Sequence, residues 1–495
     1  MASFARTSDN ETPSIIVHPT HKIAKINDNI YGGFTEHMGR CIYGGIYDPG
    51  NALSDSNGFR TDVIEAMKDL NVPVVRYPGG NFVATYHWLD GVGPKENRPK
   101  RPELAWLGLE PNEFGTDEFM KWCEVVGTEP YLCLNFGTGT LDEALGWLEY
   151  CNSTQDTYYA NLRRKNGREE PYNVKYWALG NECWGPWQVA QLTKEDYAKK
   201  AYQWAKALKL LDPSITLILC GETGYSSWDY YVLKECVTWS VHGLGGDRTK
   251  SLIDMHSIHV YTADKEHLPN ATAPRGAERA IQMASALIDL ARIENGVPES
   301  VPRPTICFDE WNGAEEKYTL SDALAVSVFL NAFIRQAKDM GMANIAQSVN
   351  VISPLMTTKE GILKQATWWP LLLFSKYVRG HSVAVNVRAP EYTGRTNPPW
   401  IRGTIETPLL DVSAAVSDDG WVNLAVANLS EDEDYEVDVQ GVRKGEVEVH
   451  SVGGWGVGAT NEAGKEVVGI EERKWDGEGK YTFEKHTFTL LRWKA

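Results

Sequence analysis

The chain has 495 residues, 42% hydrophobic and 23% charged, the balance of a globular protein that is too long for one typical domain. Its net charge of −17 excludes a polyanion-binding face, which needs cations to displace counterions, and favours a neutral partner over nucleic acid. No apolar run is long enough to cross a bilayer, and no basic start leads into an apolar core, so neither a membrane span nor a secretion signal is read; cytoplasmic residence is expected, with a secreted mature form as the alternative.

In chain order, PSIIVHPTHKIAKIN (13–27) alternates apolar and polar residues and is expected to pair into a sheet formed by the far end of the chain. Eight short apolar or β-branched runs follow: IYGGF (30–34), VPVVRY (72–77), EPYLCLNF (129–136), VKYWALG (174–180), ITLILCG (215–221), HSIHVY (256–261), PTICFDE (304–310) and NIAQSVNV (344–351). Between them stand amphipathic segments such as TDVIEAMKDL, TDEFMKWCEVV, KEDYAKKAYQWAKALKLL and AERAIQMASALIDLARI, with apolar residues at three- and four-residue intervals. Strands alternating with helices predict an α/β fold, a (β/α)₈ TIM barrel over residues 30–375. Beyond about residue 376 the runs become short and alternating (WVNLAVANL, YEVDVQ, GEVEVHSV, HTFTLLRW), which predicts an antiparallel, jelly-roll-like β-sandwich over 376–495, joined by residues 1–29.

Eight cysteines lie in the first two thirds, several inside apolar runs, and read as buried free thiols rather than a disulfide framework. No C-x-x-C pair or H-E-x-x-H helix occurs, so neither a metal site nor a cofactor is expected. Four N-x-[ST] sequons, at Asn10, Asn152, Asn270 and Asn428, carry little weight at this chain length.

Function is read from where polar residues fall. At or beyond the ends of the runs stand Glu36 and His37, Arg76, Asn135, Asn181 and Glu182, Glu222, His259 and Tyr261, and Glu310, with Gln347 inside the eighth. In a (β/α)₈ barrel these ends converge on one face, where catalytic sites are built. Glu182 and Glu310 each end a buried run, where a charge is costly to desolvate unless paired or functional. On the fourth and seventh strands together they meet the two-carboxylate requirement of glycoside hydrolysis, with an expected separation of about 5–5.5 Å for a retaining enzyme.

IYGGFTEHMGR (30–40), RYPGGNF (76–82), YHWLDGVGP (86–94), FGTDEF (114–119), WALGNE, FDEWN and AQSVNVISPLMT (346–357), in that order, resemble the α-L-arabinofuranosidases of glycoside hydrolase family 51. The resemblance implies Glu182 as acid/base and Glu310 as nucleophile of a double displacement, with Glu182 protonated by a raised pKa that Glu310, Trp177 and Trp184 would supply. It implies that Glu36 binds sugar hydroxyls, against an alternative ion pair with Arg40 or Arg76. Arg76 would orient the nucleophile, Tyr261 would steer it with His259 facing the same way, and Asn181 would bind the hydroxyl beside the anomeric carbon. Gln347 would bind the terminal hydroxyl; Asn81 would also touch the sugar, although some relatives carry Cys there. Two departures stand out: Cys183 where relatives have Met or Asn, and a short segment after Glu310 that would open the cleft rim. The implied substrate is an arabinose-containing oligo- or polysaccharide such as arabinoxylan or arabinan, and the implied assembly is a homo-oligomer. The alternatives are a β-xylosidase or endo-glucanase on the same barrel, and a non-catalytic carbohydrate-binding protein.

Overall fold

The computed structural model describes residues 2–8, 11–239, 250–313 and 317–495. Eight parallel strands close a barrel in sequence order: Gly32–Phe34, Val74–Tyr77, Glu129–Cys133, Tyr176–Leu179, Thr216–Leu219, Met255–Thr262, Thr305–Gly313 and Met340–Ile345. All eight overlap the runs read from sequence, the eighth only at its end. The eighth starts four residues before NIAQSVNV and ends inside it. Its sequence, MGMANI, holds a single β-branched residue, Ile345, whereas the Ser348–Val351 stretch that looked like a strand is a loop, held by Ser348 Oγ accepting from Phe34 N at 2.9 Å.

Val74, Tyr131, Cys133, Ala178, Ile218, Met255, Cys307 and Met342 fill the barrel lumen, so it is a packed core and not a pore. The outward faces pack on helices that include Thr61–Asp69, Thr116–Val126, Lys194–Leu211, Arg275–Glu294 and Leu320–Arg335. Side-chain caps at Thr193, Ser226 and Thr319 satisfy backbone N–H groups at helix starts.

Ser14–Lys25 pairs antiparallel with His381–Ala389, and this pair sits within one ten-stranded sheet that otherwise comes mainly from the last quarter of the chain. The sheet folds over: Val437 and Phe483 from one end share a core with Val447 and Val449 from the other. It is not wholly antiparallel as expected, because Ala2–Arg6 runs parallel to His381–Ala389 and Tyr435–Gln440 parallel to Ser14–Lys25. Each parallel partner comes from a distant part of the chain, so no hairpin turn fixes its direction.

Barrel and sheet meet through a buried charge cluster. Asp411 accepts from Arg335 at 2.8 and 3.1 Å and from Asn331 at 2.9 Å, while Glu278 accepts from Arg335 and also pairs with Arg275. All eight cysteines are free and buried. The Asn270 and Asn428 side chains are buried and hydrogen-bonded, which leaves them no room for a glycan. The Asn10 sequon and residues 314–316, in the short segment after Glu310, lie outside the described residues. Among the described residues, no helix is long and apolar enough to cross a membrane.

Candidate active site

The site is built over the C-terminal ends of the barrel strands, and a single local irregularity makes it possible. Along a regular strand, neighbours point to opposite faces, so adjacent acids cannot both enter the lumen. In the seventh strand Cys307 pairs with Ser257 and Glu310 with His259, so three residues span what two cover opposite. The same slip recurs against the eighth strand, between Phe308 and Trp311. This β-bulge turns Phe308 and Trp311 outward, against Phe329 and Phe333 of the helix behind, and leaves both Asp309 and Glu310 facing inward.

Arg76, 1% exposed, comes up from the second strand with its guanidinium over the Phe34 ring. It donates at 2.7 Å to Glu310 Oε1 and at 2.7 Å to Asn181 Oδ1. Tyr261 donates to the other Glu310 oxygen at 2.7 Å, so both oxygens of the carboxylate are fixed. Across from it, Glu182 accepts from Trp187 Nε1 at 2.8 Å and faces His259 Nδ1 at 3.0 Å. Glu182 sits at φ 40°, a left-handed conformation that is uncommon outside glycine, so the backbone is strained at this residue. His259 Nδ1 also lies 3.6 Å from Glu310 Oε2, and one donor atom from each of Glu182, His259 and Glu310 falls within 4.8 Å of the others. That cluster could reach an ion, but its atoms are already engaged by Trp187, Arg76, Tyr261 and one another, which is the wiring of an acid–base set.

On the opposite rim, Glu36 is buried and surrounded by donors: Phe82 N at 3.1 Å, Trp106 Nε1 at 3.2 Å and Gln347 Nε2 at 2.9 Å. Arg40 turns away to Thr357 and Gly44, so it is not the ion-pair partner considered for Glu36. Asn81 accepts from Gln188 at 2.6 Å and from Asn181 at 3.4 Å. The chain can pass between Glu36 and Glu310 only because of Gly79 and Gly80. A methyl group on Gly80 would lie 3.0 Å from Glu310 Oε1, and one on Gly79 would lie 2.7 Å from Glu36 Cγ.

The charges follow from these contacts. Burial disfavours a charged His259, yet Glu310, Asp309 and Glu182 together hold its pKa well above the ordinary histidine value. Burial would raise Glu182, but hydrogen bonding to and charge on His259, then Trp187 and Arg76, hold it below the usual carboxylate value. This reverses the expectation of a raised Glu182. Trp177 is occupied with Val174 O and Trp184 with Gly221 O, so the tryptophan at the acid is Trp187, a hydrogen-bond donor that favours the anion. Glu36 is the carboxyl driven upward, to about 7, by burial and then by the charge of Glu310.

The structure thus brings together Glu36, Arg76, Asn81, Asn181, Glu182, His259, Tyr261, Glu310 and Gln347. Two other marked residues face elsewhere, and a third, Glu222, is held through its backbone. His37 pairs with Glu110 at 2.9 Å, Asn135 donates to Tyr86 O at 2.9 Å, and Glu222 offers its backbone to His259 and Asp229. Sequence reasoning missed Trp106, Trp187 and Asp309. The two tryptophans sit in loops with no periodicity to place them, and Asp309 was concealed by the bulge.

Residues 66–279 match the family description "Alpha-L-arabinofuranosidase 1 domain" and residues 300–487 match "Alpha-L-arabinofuranosidase C-terminal domain". A protein of Aspergillus terreus named probable alpha-L-arabinofuranosidase C is 67% identical over 100% of both chains. An Acetivibrio thermocellus protein named intracellular exo-alpha-(1->5)-L-arabinofuranosidase is 38% identical over 76% of this chain and 78% of its own. Among solved structures, the thermostable GH51 alpha-L-arabinofuranosidase of Thermotoga petrophila superposes with a TM-score of 0.87 at 36% identity, covering 98% of this chain and 100% of that one.

Proposed function

The chain belongs to the α-L-arabinofuranosidases of glycoside hydrolase family 51, and from that premise we propose that Glu310 is the nucleophile and Glu182 the acid/base of a retaining double displacement. Its activity is that of a glycoside hydrolase acting on α-L-arabinofuranosides, and its substrate is an arabinose-containing glycan. The observation that supports a retaining mechanism is the close pairing of the two acids: facing oxygens of Glu182 and Glu310 lie within 4.8 Å of each other and His259 Nδ1 reaches both, as expected where one carboxylate attacks directly rather than through an intervening water.

In the first step a Glu310 oxygen attacks the anomeric carbon while the aglycone oxygen receives a proton from Glu182. Glu182 and His259 form a hydrogen-bonded pair that holds this proton between them. The negative charge of Glu310 keeps the proton on the pair. Transfer to the aglycone oxygen leaves Glu182 unprotonated, and with Glu310 now an ester its charge no longer draws a proton back to the pair, so Glu182 is a free base that takes a proton from the incoming water. Arg76 and Tyr261 hold the nucleophile on line, a positioning effect that avoids paying for orientation at the moment of reaction. Glu36, Gln347, Asn81 and Asn181 present the polar rim for the furanose hydroxyls, with Trp106 at its edge. Trp187, 54% exposed beside Glu182, stands where the leaving group departs and offers a face to it.

We extend the reading to exo-acting removal of arabinofuranosyl units from arabinan or arabinoxylan, supported by the activity named for the Acetivibrio relative. That relative's intracellular designation supports cytoplasmic residence. A panel of nitrophenyl glycosides tests the specificity. Turnover of the α-L-arabinofuranoside is expected; preference for the xyloside or glucoside would favour the other barrel activities, and no turnover at all would favour a binding protein.

A further inference from the structure

Asp309 is not one of the two carboxylates that flank the scissile bond, yet it is 1% exposed and every atom of its carboxylate is engaged. Oδ2 accepts from Tyr131 at 2.7 Å and lies 3.5 Å from Arg76 Nε. Oδ1 accepts from Ser257 at 2.5 Å and faces His259 Nε2 at 3.2 Å. Arg76 is the cation that holds Glu310, and His259 is the group that faces Glu182 through its other nitrogen. One buried anion therefore sits beneath both cationic arms of the site.

We propose that Asp309 is a positioning residue for both halves of the reaction, fixing the His259–Glu182 proton pair from below and aligning Arg76 behind the nucleophile. The inference rests on the roles given to Glu182 and Glu310, which have their own test in azide rescue of Glu182→Ala, so either can fail alone.

The geometry sets the direction of each effect. A carboxylate facing Nε2 makes that nitrogen a donor, so the second ring proton is directed from Nδ1 toward Glu182. The polar and titratable groups that face the imidazole are Glu182 from the fourth-strand loop, Cys220 at the end of the fifth strand, Asp309 and Glu310 from the seventh, and Ser257 along its own strand. Arg76, from the second strand, opposes them from behind Asp309 and Glu310. Two anions outside the pair, Asp309 and Glu310, help to keep a proton on it against the opposing charge of Arg76; removing one of them lets the proton leave at lower pH.

Asp309→Asn keeps the shape and removes the charge. On a dinitrophenyl arabinofuranoside, whose leaving group needs no proton, only the loosened Arg76 arm should be felt. On a substrate with a poor leaving group kcat/KM should fall by about a further tenfold or more, and the alkaline limb of its pH profile should move down by about one unit. Equal losses on both substrates with an unmoved alkaline limb would overturn the proposal. Neutron diffraction on the unaltered protein keeps it testable should the variant not fold. A deuteron on Nε2 pointing at Asp309 and a second between Nδ1 and Glu182 are expected; a bare Nε2 would overturn it.

Discussion

Gly80→Ala adds a single methyl group at the narrowest point of the site. Its carbon would lie 3.0 Å from Glu310 Oε1, 3.5 Å from Asn181 Nδ2 and 3.5 Å from Glu36 Oε2. The first contact is too short to persist, and Glu310 and Asn181 cannot drift freely, because Arg76 holds each at 2.7 Å. Relief requires Glu310 to shift by a few tenths of an ångström or more, with the methyl left in the space the sugar must enter. Over-packing of this kind costs about 1–3 kcal/mol of stability, whereas misplacing a reacting group by about 1 Å costs on the order of 10² in rate. The expected outcome is a folded protein, melting a few degrees lower by calorimetry, whose kcat/KM on an aryl arabinofuranoside falls roughly tenfold, toward the roughly hundredfold loss of a full ~1 Å misplacement as Glu310 is pushed further. A variant with unaltered kcat/KM would refute the argument that the glycine exists to let the chain pass between two carboxylates.

Glu36→Gln places an amide N–H₂ either against both Phe82 N and Trp106 Nε1 or against Gln347 Nε2, and removes an acceptor for a sugar hydroxyl. Losing a hydrogen bond to a charged group costs about 1.5–3 kcal/mol, so kcat/KM should drop roughly 10–100-fold by steady-state kinetics; wild-type values would make Glu36 structural. The same variant has a stability signature. Glu36 titrates at about 7 in the folded protein against an ordinary 4.5, so between those values the folded state binds the extra proton, and this contribution to stability is lost as pH rises through about 7. The decline in melting temperature across that window should be shallower in Glu36→Gln than in the wild type, and an identical slope would assign the decline to other groups. Asp411→Ala strips the buried Arg335 of its carboxylate at the junction of barrel and sheet. Breaking such a pair costs about 3–5 kcal/mol, which should lower the denaturant midpoint while leaving turnover per folded molecule unchanged; an unmoved midpoint would show that the cluster does not tie the two parts together.

Much of this molecule can be read from the chain, because a parallel barrel repeats one signal. VVRY, YLC and TLIL are short apolar strands buried on both faces, and the helices between them carry clear 3.6-residue periodicity. Where burial instead uses Gly and Met, as in MGMANI, the signal fades and the more β-branched SVNV draws the reading downstream. The two glutamates stood out only as a pair: each alone, ending an apolar run, could be a structural ion-pair partner, and it is their places on the fourth and seventh strands, together with the family resemblance, that single them out. Asp309 was not, since alternation assigns it to the face opposite Glu310 and only the bulge, a property of pairing with two neighbouring strands, brings both inward. The sign of the Glu182 shift was likewise out of reach. Nearby tryptophans in sequence suggested an apolar cage, but the neighbour that decides is His259, seventy-seven residues away in the chain and 3.0 Å away in space. Trp106 and Trp187 illustrate the same limit for loops, whose return to the site leaves no periodic trace.

The division of labour between the two glutamates is tested most directly by the product that azide forms with Glu182→Ala on a dinitrophenyl arabinofuranoside. The first step needs no acid with that leaving group, so the glycosyl-enzyme on Glu310 should form and accumulate. Azide needs no general base, so it should attack the same face that water would and restore turnover. The account predicts an α-arabinofuranosyl azide, of retained configuration, by NMR. An azide of inverted configuration from this variant, or a retained azide arising from Glu310→Ala instead, would contradict it.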